Sequence, residues 1–334
     1  MQNNMVDEII NTDKENLLED TTFIVDIDDK NTRIDKYLSD ELADVSRSRI
    51  QKLLDEGMIT VNNNKVKSNY KVAADDIINV HIPELVVPEI VPEDISLDIV
   101  YEDDDIIVIN KPKGMVVHPA AGHYSGTLVN ALMYHCRDNL SGINGVLRPG
   151  IVHRIDMNTT GVIVACKNDY AHNFIAQQLS VHSITRKYYA IVHNQFNNTE
   201  GVVDAPIGRN PSDRKKMAVD KKNGKRAVTH YRVLEQFGKF SYIECQLETG
   251  RTHQIRVHMA SIGHPLLGDD VYGSGKSPFN LCGQTLHAGV LGFIHPTTKE
   301  YVEYSADLPE YFQKVISRLR NSYCLLYTSP SPRD

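Results

Sequence analysis

Three prolines, Pro83, Pro88 and Pro92, alternate with Glu84, Glu89 and Glu93 in one short stretch of the chain. Proline fixes φ, donates no backbone hydrogen bond and pushes its predecessor out of the helical region. Neither a helix nor a central strand runs through such a stretch. The chain is therefore expected to fold as two units joined by a stiff acidic connector. Its 334 residues also exceed what one ordinary core organises. The expected divisions are an acidic leader over 1–20, a small unit over 21–83, the linker over 84–94, a larger unit over 95–322 and a tail over 323–334. The leader has no apolar period and is read as disordered. The tail turns abruptly to Ser, Pro and Thr and is expected to be foreign to the fold.

An apolar fraction of 41% suffices for real cores. No stretch approaches the roughly 18 apolar residues that span a bilayer, and the N-terminus is polar and acidic rather than signal-like. Cys136, Cys166, Cys245, Cys282 and Cys324 are scattered, with no CxxC pair, which fits reduced thiols in the cytoplasm. The net charge of −7 is unevenly spread. Met1 to Lys30 carries nine acids against two lysines, and Glu84 to Asp105 nine acids and no base. From Ala205 to Arg232 the balance reverses, with nine Lys/Arg against Asp213 and Asp220. Phosphate binding depends on local patches, so the acidic total does not exclude a nucleic-acid partner.

In the small unit, Ile34, Tyr37, Leu38 and Leu42 recur at helical spacing. Ser46 is placed to cap a second helix bearing Ile50, Leu53 and Leu54, which Gly57 closes. Ile59–Val61, the turn Asn62-Asn63-Asn64 and Lys65–Lys67 predict a hairpin, and Ile77–Val80 a last strand. This helix-helix-hairpin order resembles the S4 RNA-binding module. The resemblance implies that the second helix turns Arg47, Arg49 and Lys52 towards RNA.

The larger unit has strand signals at 106–109, 161–165, 188–192, 228–233 and 242–247. Helix signals are fewer, at 127–136, 170–179, 250–262 and 309–319. Strands dominate without regular alternation, so the expected fold is α+β, with a mixed, largely antiparallel sheet. There is no GxGxxG, P-loop or internal repeat.

The chemistry points to one acid. Ile151 to Asp156 is strand-like and ends at the carboxylate, and a turn separates it from the apolar run Val162–Ala165. A lone Asp at such a junction usually caps a turn. Two other clusters suggest more: Thr185-Arg186-Lys187-Tyr188-Tyr189, and the run after Gly250 holding Arg251, His253, Gln254, Arg256 and His258. A buried Asp needs a cationic partner or it neutralises, and Arg is the partner that does not deprotonate. His253 and His258 are five apart, off the i, i+4 spacing of HExxH, with no acid between them, so no metal site is expected.

HRIDMNTTG (153–161), RKYYA (186–190), LETGRTHQIRVHMASIGHPLLGD (247–269) and LHA (286–288) occur in order. Together they resemble the RluA-type pseudouridine synthases over roughly residues 95 to 310. HPAAGHYSGTLVNAL from His118 and LRPGIVHRID from Leu147 are most similar to the RluD branch. The resemblance implies that Asp156 initiates uridine isomerisation, that Tyr188 packs on the base and is a candidate for taking the C5 proton, and that Arg256 pairs with Asp156. It further implies that Leu286 lines the uracil pocket, that Arg154 fills the space of the extruded base, and that His153, Thr160, Gly161, Arg251, His253, Gln254 and Ile255 contribute to substrate binding. No cofactor or metal is implied. The implied partner is 23S ribosomal RNA or a large-subunit precursor, met by a cytoplasmic monomer with no membrane association. A single acid weighs against a glycosidase, which pairs two carboxylates. An RluC-like target set and a non-catalytic ribosome-assembly role stand as alternatives. Whether the carboxylate attacks C6, attacks C1′ or removes the C2′ proton stays open.

Overall fold

The computed structural model describes residues 17–42, 45–83, 90–120, 122–137, 139–143, 145, 148–213, 216–273 and 277–328. The expected leader up to residue 16, the first part of the expected linker, Arg214 and Lys215 of the basic run and the end of the tail lie outside these residues. The chain divides into two compact units, Met1–Val87 and Pro88–Asp334.

The first unit contains β1 (Leu17–Ile24), α1 (Ile34–Glu41), α2 (Arg47–Glu56), β2 (Ile59–Val61), β3 (Asn64–Lys65) and β4 (Ile77–Pro83). Its sheet has the order β1-β4-β2-β3. Ile34, Leu38, Ile50, Leu53 and Leu54 meet Ile59, Ile78 and Val80 in one core. Ser46 caps α2 by accepting from the Arg49 amide, and Gly57 ends it in the left-handed conformation. Strand β1 was not expected: it starts inside the stretch read as leader, where pairing with β4 satisfies its backbone. Fully buried Asp35 gathers Arg33, Arg47 and Gln51.

The second unit contains β5 (Ile99–Glu102), β6 (Ile106–Lys111), α3 (Leu128–Cys136), β7 (Thr160–Cys166), α4 (Asp169–Ser180), β8 (Thr185–His193) and β9 (Glu200–Asp204). There follow β10 (Ile207–Arg209), β11 (Met217–Val219), β12 (Val228–Gln236), β13 (Phe240–Leu247), α5 (Gln254–Ser261), β14 (Leu286–Ile294), β15 (Tyr301–Ser305) and α6 (Glu310–Thr328). The main sheet runs β5-β6-β7-β14-β8-β13-β12-β9, with β15 on β14. Its one parallel contact, β7 with β14, makes it mixed. Helices cover both faces. Ile107, Ile109, Ile163 and Ala165 pack with residues of α3 and α5, whereas Ile106, Val108, Val162 and Val164 pack with α4. Burial on both sides explains why β6 and β7 read as unbroken apolar runs.

Two boundaries differ from expectation. The segment from Ile90 is not a free linker: Ile90 is in the core, the Asn130 side-chain amide donates to Val91 O, and the Glu93 carboxylate accepts from the Gly126 amide. At the other end α6 continues through Thr328, because no proline stops it before Pro330.

Candidate active site

The parallel contact between β7 and β14 decides where the site lies. Their paired residues, Thr160 with His287 and Gly161 with Ala288, stand at the start of each strand. The turn leading into β7 and the first residue of β14, Leu286, therefore share one end of the sheet. Tyr188 on β8 pairs with Ala288, so its ring comes to the same place. A cavity of about 580 Å³ opens there, lined by residues of the 152–159 segment, α4, β8, Leu247, the 250–256 segment and Leu286.

Asp156 heads a tight turn. The Thr159 amide donates to Asp156 O, the Gly114 amide to Met157 O, and Gln284 Nε2 to Thr159 Oγ1. Lys111, fully buried, donates from Nζ to Pro112 O, Met115 O and Met157 O at 2.8, 2.9 and 3.1 Å. Burial pulls its pKa down to about 7 against the pull of Asp156, while the three acceptors match the three N–H bonds of an ammonium. Gly161 must be glycine: φ is +109° and a Cβ would stand 2.1 Å from Ala288 O.

Arg256 lies on α5, almost wholly buried, between two carboxylates. Nη1 donates to Asp156 Oδ2 at 3.0 Å, while Nε and Nη2 donate to the two oxygens of Asp269 at 2.7 and 3.0 Å. Burial disfavours the guanidinium, but the hydrogen bonds and charges of Asp269 and Asp156 outweigh it and raise the pKa above the ordinary value. Asp269 is shifted down because Arg256 and the Tyr272 and Val271 amides outweigh its burial. His253 Nε2 stands 3.8 Å from the other oxygen of Asp156. Tyr188 and Leu286 form the apolar wall with Ile155, Leu247 and Ile255. Burial pushes the Tyr188 phenol up, Arg186 opposes this and Asp156 adds to it, so the resting group is neutral.

Most expected site residues thus come together: Asp156, Tyr188, Arg256, His153, Arg154, Arg251, His253, Gln254, Ile255 and Leu286 line the cavity. Several are occupied by the scaffold. His153 Nε2 accepts from the Val164 amide, and burial with the Arg186 charge holds its pKa down near 3. Gln254 accepts from Thr249 and the Arg251 amide and donates to Val228 O and Thr229 Oγ1. Arg251 donates Nε to Arg226 O. Two expected residues lie elsewhere. Thr160 turns its hydroxyl to His287, and Gly161 packs on the β14 backbone, since both already belong to β7. In the first unit, Arg47 is bound to Asp35 and Lys52 pairs with Glu56 at 3.5 Å, while Arg49 is half-buried.

The polar density after Gly250 is largely a hydrogen-bonded frame. His258, like Gln254, is spent holding α5, through Thr229 Oγ1 and Ala205 O. Two residues outside the expected site join it. Lys111 sits on the β6 end with no polar pattern to signal it. Arg186 donates to Glu248 O and lines the cavity, and its buried Nε has no partner among the described residues. The basic-aromatic entry to β8 was its sequence signal. Among the described residues no group of three or more His, Cys, Asp or Glu is placed to hold a metal ion, and no helix is long and apolar enough to cross a membrane.

The chain is similar to known proteins along most of its length. The family model described as RNA pseudouridylate synthase matches residues 105–261, and the S4 domain model matches residues 32–78. An uncharacterized RNA pseudouridine synthase of Bacillus subtilis, YlyB, is 54% identical over 294 residues, covering 88% of this chain and 96% of that protein. Ribosomal large subunit pseudouridine synthase D of Zymomonas mobilis is 47% identical over 297 residues, covering 86% of this chain and 93% of that protein. Among solved structures, human RNA pseudouridylate synthase domain containing 4 matches with a TM-score of 0.53 at 28% identity, covering 66% of this chain and 92% of that one. The chain thus belongs to the RNA pseudouridine synthase family and carries an S4 domain on its N-terminal side.

Proposed function

We propose that this enzyme isomerises uridines of 23S ribosomal RNA, acting as a cytoplasmic monomer without metal or cofactor, with a target set like that of the RluD branch. The carrying observation is the Asp156 carboxylate, held through one oxygen by Arg256 and faced by Tyr188 and Leu286. The large-subunit target rests on relatives named ribosomal large subunit pseudouridine synthase D, 47% and 43% identical.

In the reaction the C1′–N1 bond of uridine breaks, the uracil turns, C1′–C5 forms, and the C5 proton is replaced by one at N1. The base must first leave its stack, at about a few kcal/mol, and enter the cleft. Asp156 acts there as nucleophile or base, held and aimed by Arg256. Tyr188 packs on the flipped base, and its neutral phenol suits packing better than proton removal. Leu286, Ile255 and Leu247 exclude water, so that the detached base is rejoined rather than hydrolysed. Arg154, exposed at the rim, fills the vacated place in the RNA. The N-terminal unit adds RNA affinity through Arg49 and Lys52 on α2, with Arg47 held ready by Asp35.

Mapping pseudouridine in 23S ribosomal RNA from cells with and without the gene tests this reading. Loss of sites clustered in one stem-loop, restored by the intact gene and not by an Asp156→Asn copy, is expected. An unchanged 23S map, with sites lost from another RNA, would replace the target.

A further inference from the structure

The hydrogen bonds of Tyr272 decide which nitrogen of His253 carries the proton. The main-chain amide of Met217, on β11, donates to the Tyr272 hydroxyl oxygen at 2.9 Å. The same hydroxyl lies 2.8 Å from His253 Nδ1. A phenol has one proton to give, and no other acceptor among the described residues takes it. A hydroxyl so placed is set to donate to Nδ1, and a neutral imidazole accepting there bears its hydrogen on Nε2. That nitrogen faces Asp156 Oδ1 at 3.8 Å, while Asp156 Oδ2 already accepts from Arg256. Burial keeps the ring neutral, with Asp156 and Asp269 opposing the downward shift and Arg256 and Arg154 adding to it.

The backbone supports a purpose for this arrangement. His253 has φ +57° and ψ 23°, a left-handed conformation that a residue with a Cβ adopts at a cost. Its side chain makes no cap to α5. What the conformation achieves is to place the imidazole between Tyr272 and Asp156.

We propose that His253 is a positioning residue for Asp156: its Nε2–H, set by Tyr272 and the β11 main chain, closes on Oδ1 when a uridine fills the cleft. The carboxylate is then gripped at both oxygens, by Arg256 on one and His253 on the other, and its plane is fixed. At 3.8 Å the contact is longer than a hydrogen bond, and contacts between catalytic groups commonly tighten only when substrate binds. Because Tyr272 takes its orienting bond from β11, the β10–β11 hairpin must be seated before the carboxylate is fully held. This deepens the assignment of the cleft as the uridine site and rests on it.

The test has a structural arm and a kinetic arm, both on the full chain. Long-range proton–nitrogen NMR of the RNA-free protein, labelled at histidine nitrogen and assigned with His253→Gln, is expected to show His253 protonated at Nε2. In Tyr272→Phe, which keeps the ring beside Arg256, that pattern should change to a mixture. Single-turnover tritium release from C5-labelled ribosomal RNA should fall about tenfold in Tyr272→Phe with RNA affinity unchanged, the worth of one hydrogen bond to a charged group. His253→Asn suits a left-handed backbone but is too short to reach Asp156, and it should lose as much. His253→Gln, whose terminal amide reaches as Nε2 does, should recover most of the rate. An Nδ1-protonated His253 in the parent protein overturns the proposal, and so do equal rates for parent, His253→Asn and His253→Gln. If the parent itself releases no tritium, the uridine assignment fails, whereas the NMR arm still judges the proton placement.

Discussion

Arg256 serves two carboxylates with one guanidinium, and its substitutions should separate stability from activity. Arg256→Met leaves Asp269 buried without a cation, a loss of about 3–5 kcal/mol in stability. Arg256→Lys keeps a charge for Asp269, so most of that loss should be recovered. A single ammonium does not span both Asp269 and Asp156, so activity should stay low. Urea denaturation beside single-turnover assays checks both; a fully active Arg256→Lys would contradict the division of labour. Gly161→Ala is expected to destabilise by at least ~1–3 kcal/mol through strain at a positive φ and the clash with Ala288 O. A neutral effect would mean the β7–β14 contact yields easily. Of the residues around Asp156, the sequence pattern pointed to those with charge or ring chemistry. It missed Lys111, whose neighbours Ile109 and Pro112 read as a strand running into a loop, because three main-chain acceptors leave no trace in a side-chain pattern.

Elements were legible where burial gives them a period. Helices α1, α2, α3 and α4 lie where apolar spacing and capping residues placed them, and β6, β7, β8, β12 and β13 where apolar runs did. The short strands β5, β9 and β15 are mostly exposed edge or outer strands with little alternation to read. Helix α5 starts at Gln254 rather than Gly250 because His253 is left-handed, which no propensity signals. Two predictions belong here. Lys111→Met removes the donors to Pro112, Met115 and Met157 and should cost about 1–3 kcal/mol per carbonyl left dry, with activity falling as the Asp156 turn loosens. Retained stability and rate would show that Gly114 and Gln284 hold the turn unaided. In the first unit, Asp35 is held down to about 2, since Arg33, Gln51 and Arg47 outweigh its burial. A folded pKa below the unfolded value of ~3.9 stabilises above pH ~4, and the contribution is lost as pH falls towards 2. Asp35→Asn should therefore cost on the order of 2 kcal/mol at pH 7 and clearly less at pH 3. Hydrogen exchange of α1 and α2 amides measures it, and an equal cost at both pH values would contradict the ion-pair origin.

At the scale of the molecule, the chain divides into two units near the Pro/Glu stretch, and each has a core of its own. Its far end was misjudged because Ile90, Val91 and Glu93 are fastened by Asn130 and Gly126, residues more than thirty positions on. Each unit has its own core, so the cleft is expected to form without residues 1–83. The shortened enzyme should bind 23S ribosomal RNA more weakly and with a shallower dependence on salt, yet keep its single-turnover rate at saturation. Unchanged affinity and salt slope would deny the first unit an RNA role. Asp156 is proposed to perform the chemistry in a cleft that binds RNA by other means. Tritium release from C5-labelled 23S ribosomal RNA, measured beside RNA affinity for the parent and Asp156→Asn, tests it directly. The expected result is a loss of at least ~10²-fold in release with affinity within a few-fold. Release at the parent rate, or loss of RNA binding together with activity, would contradict it.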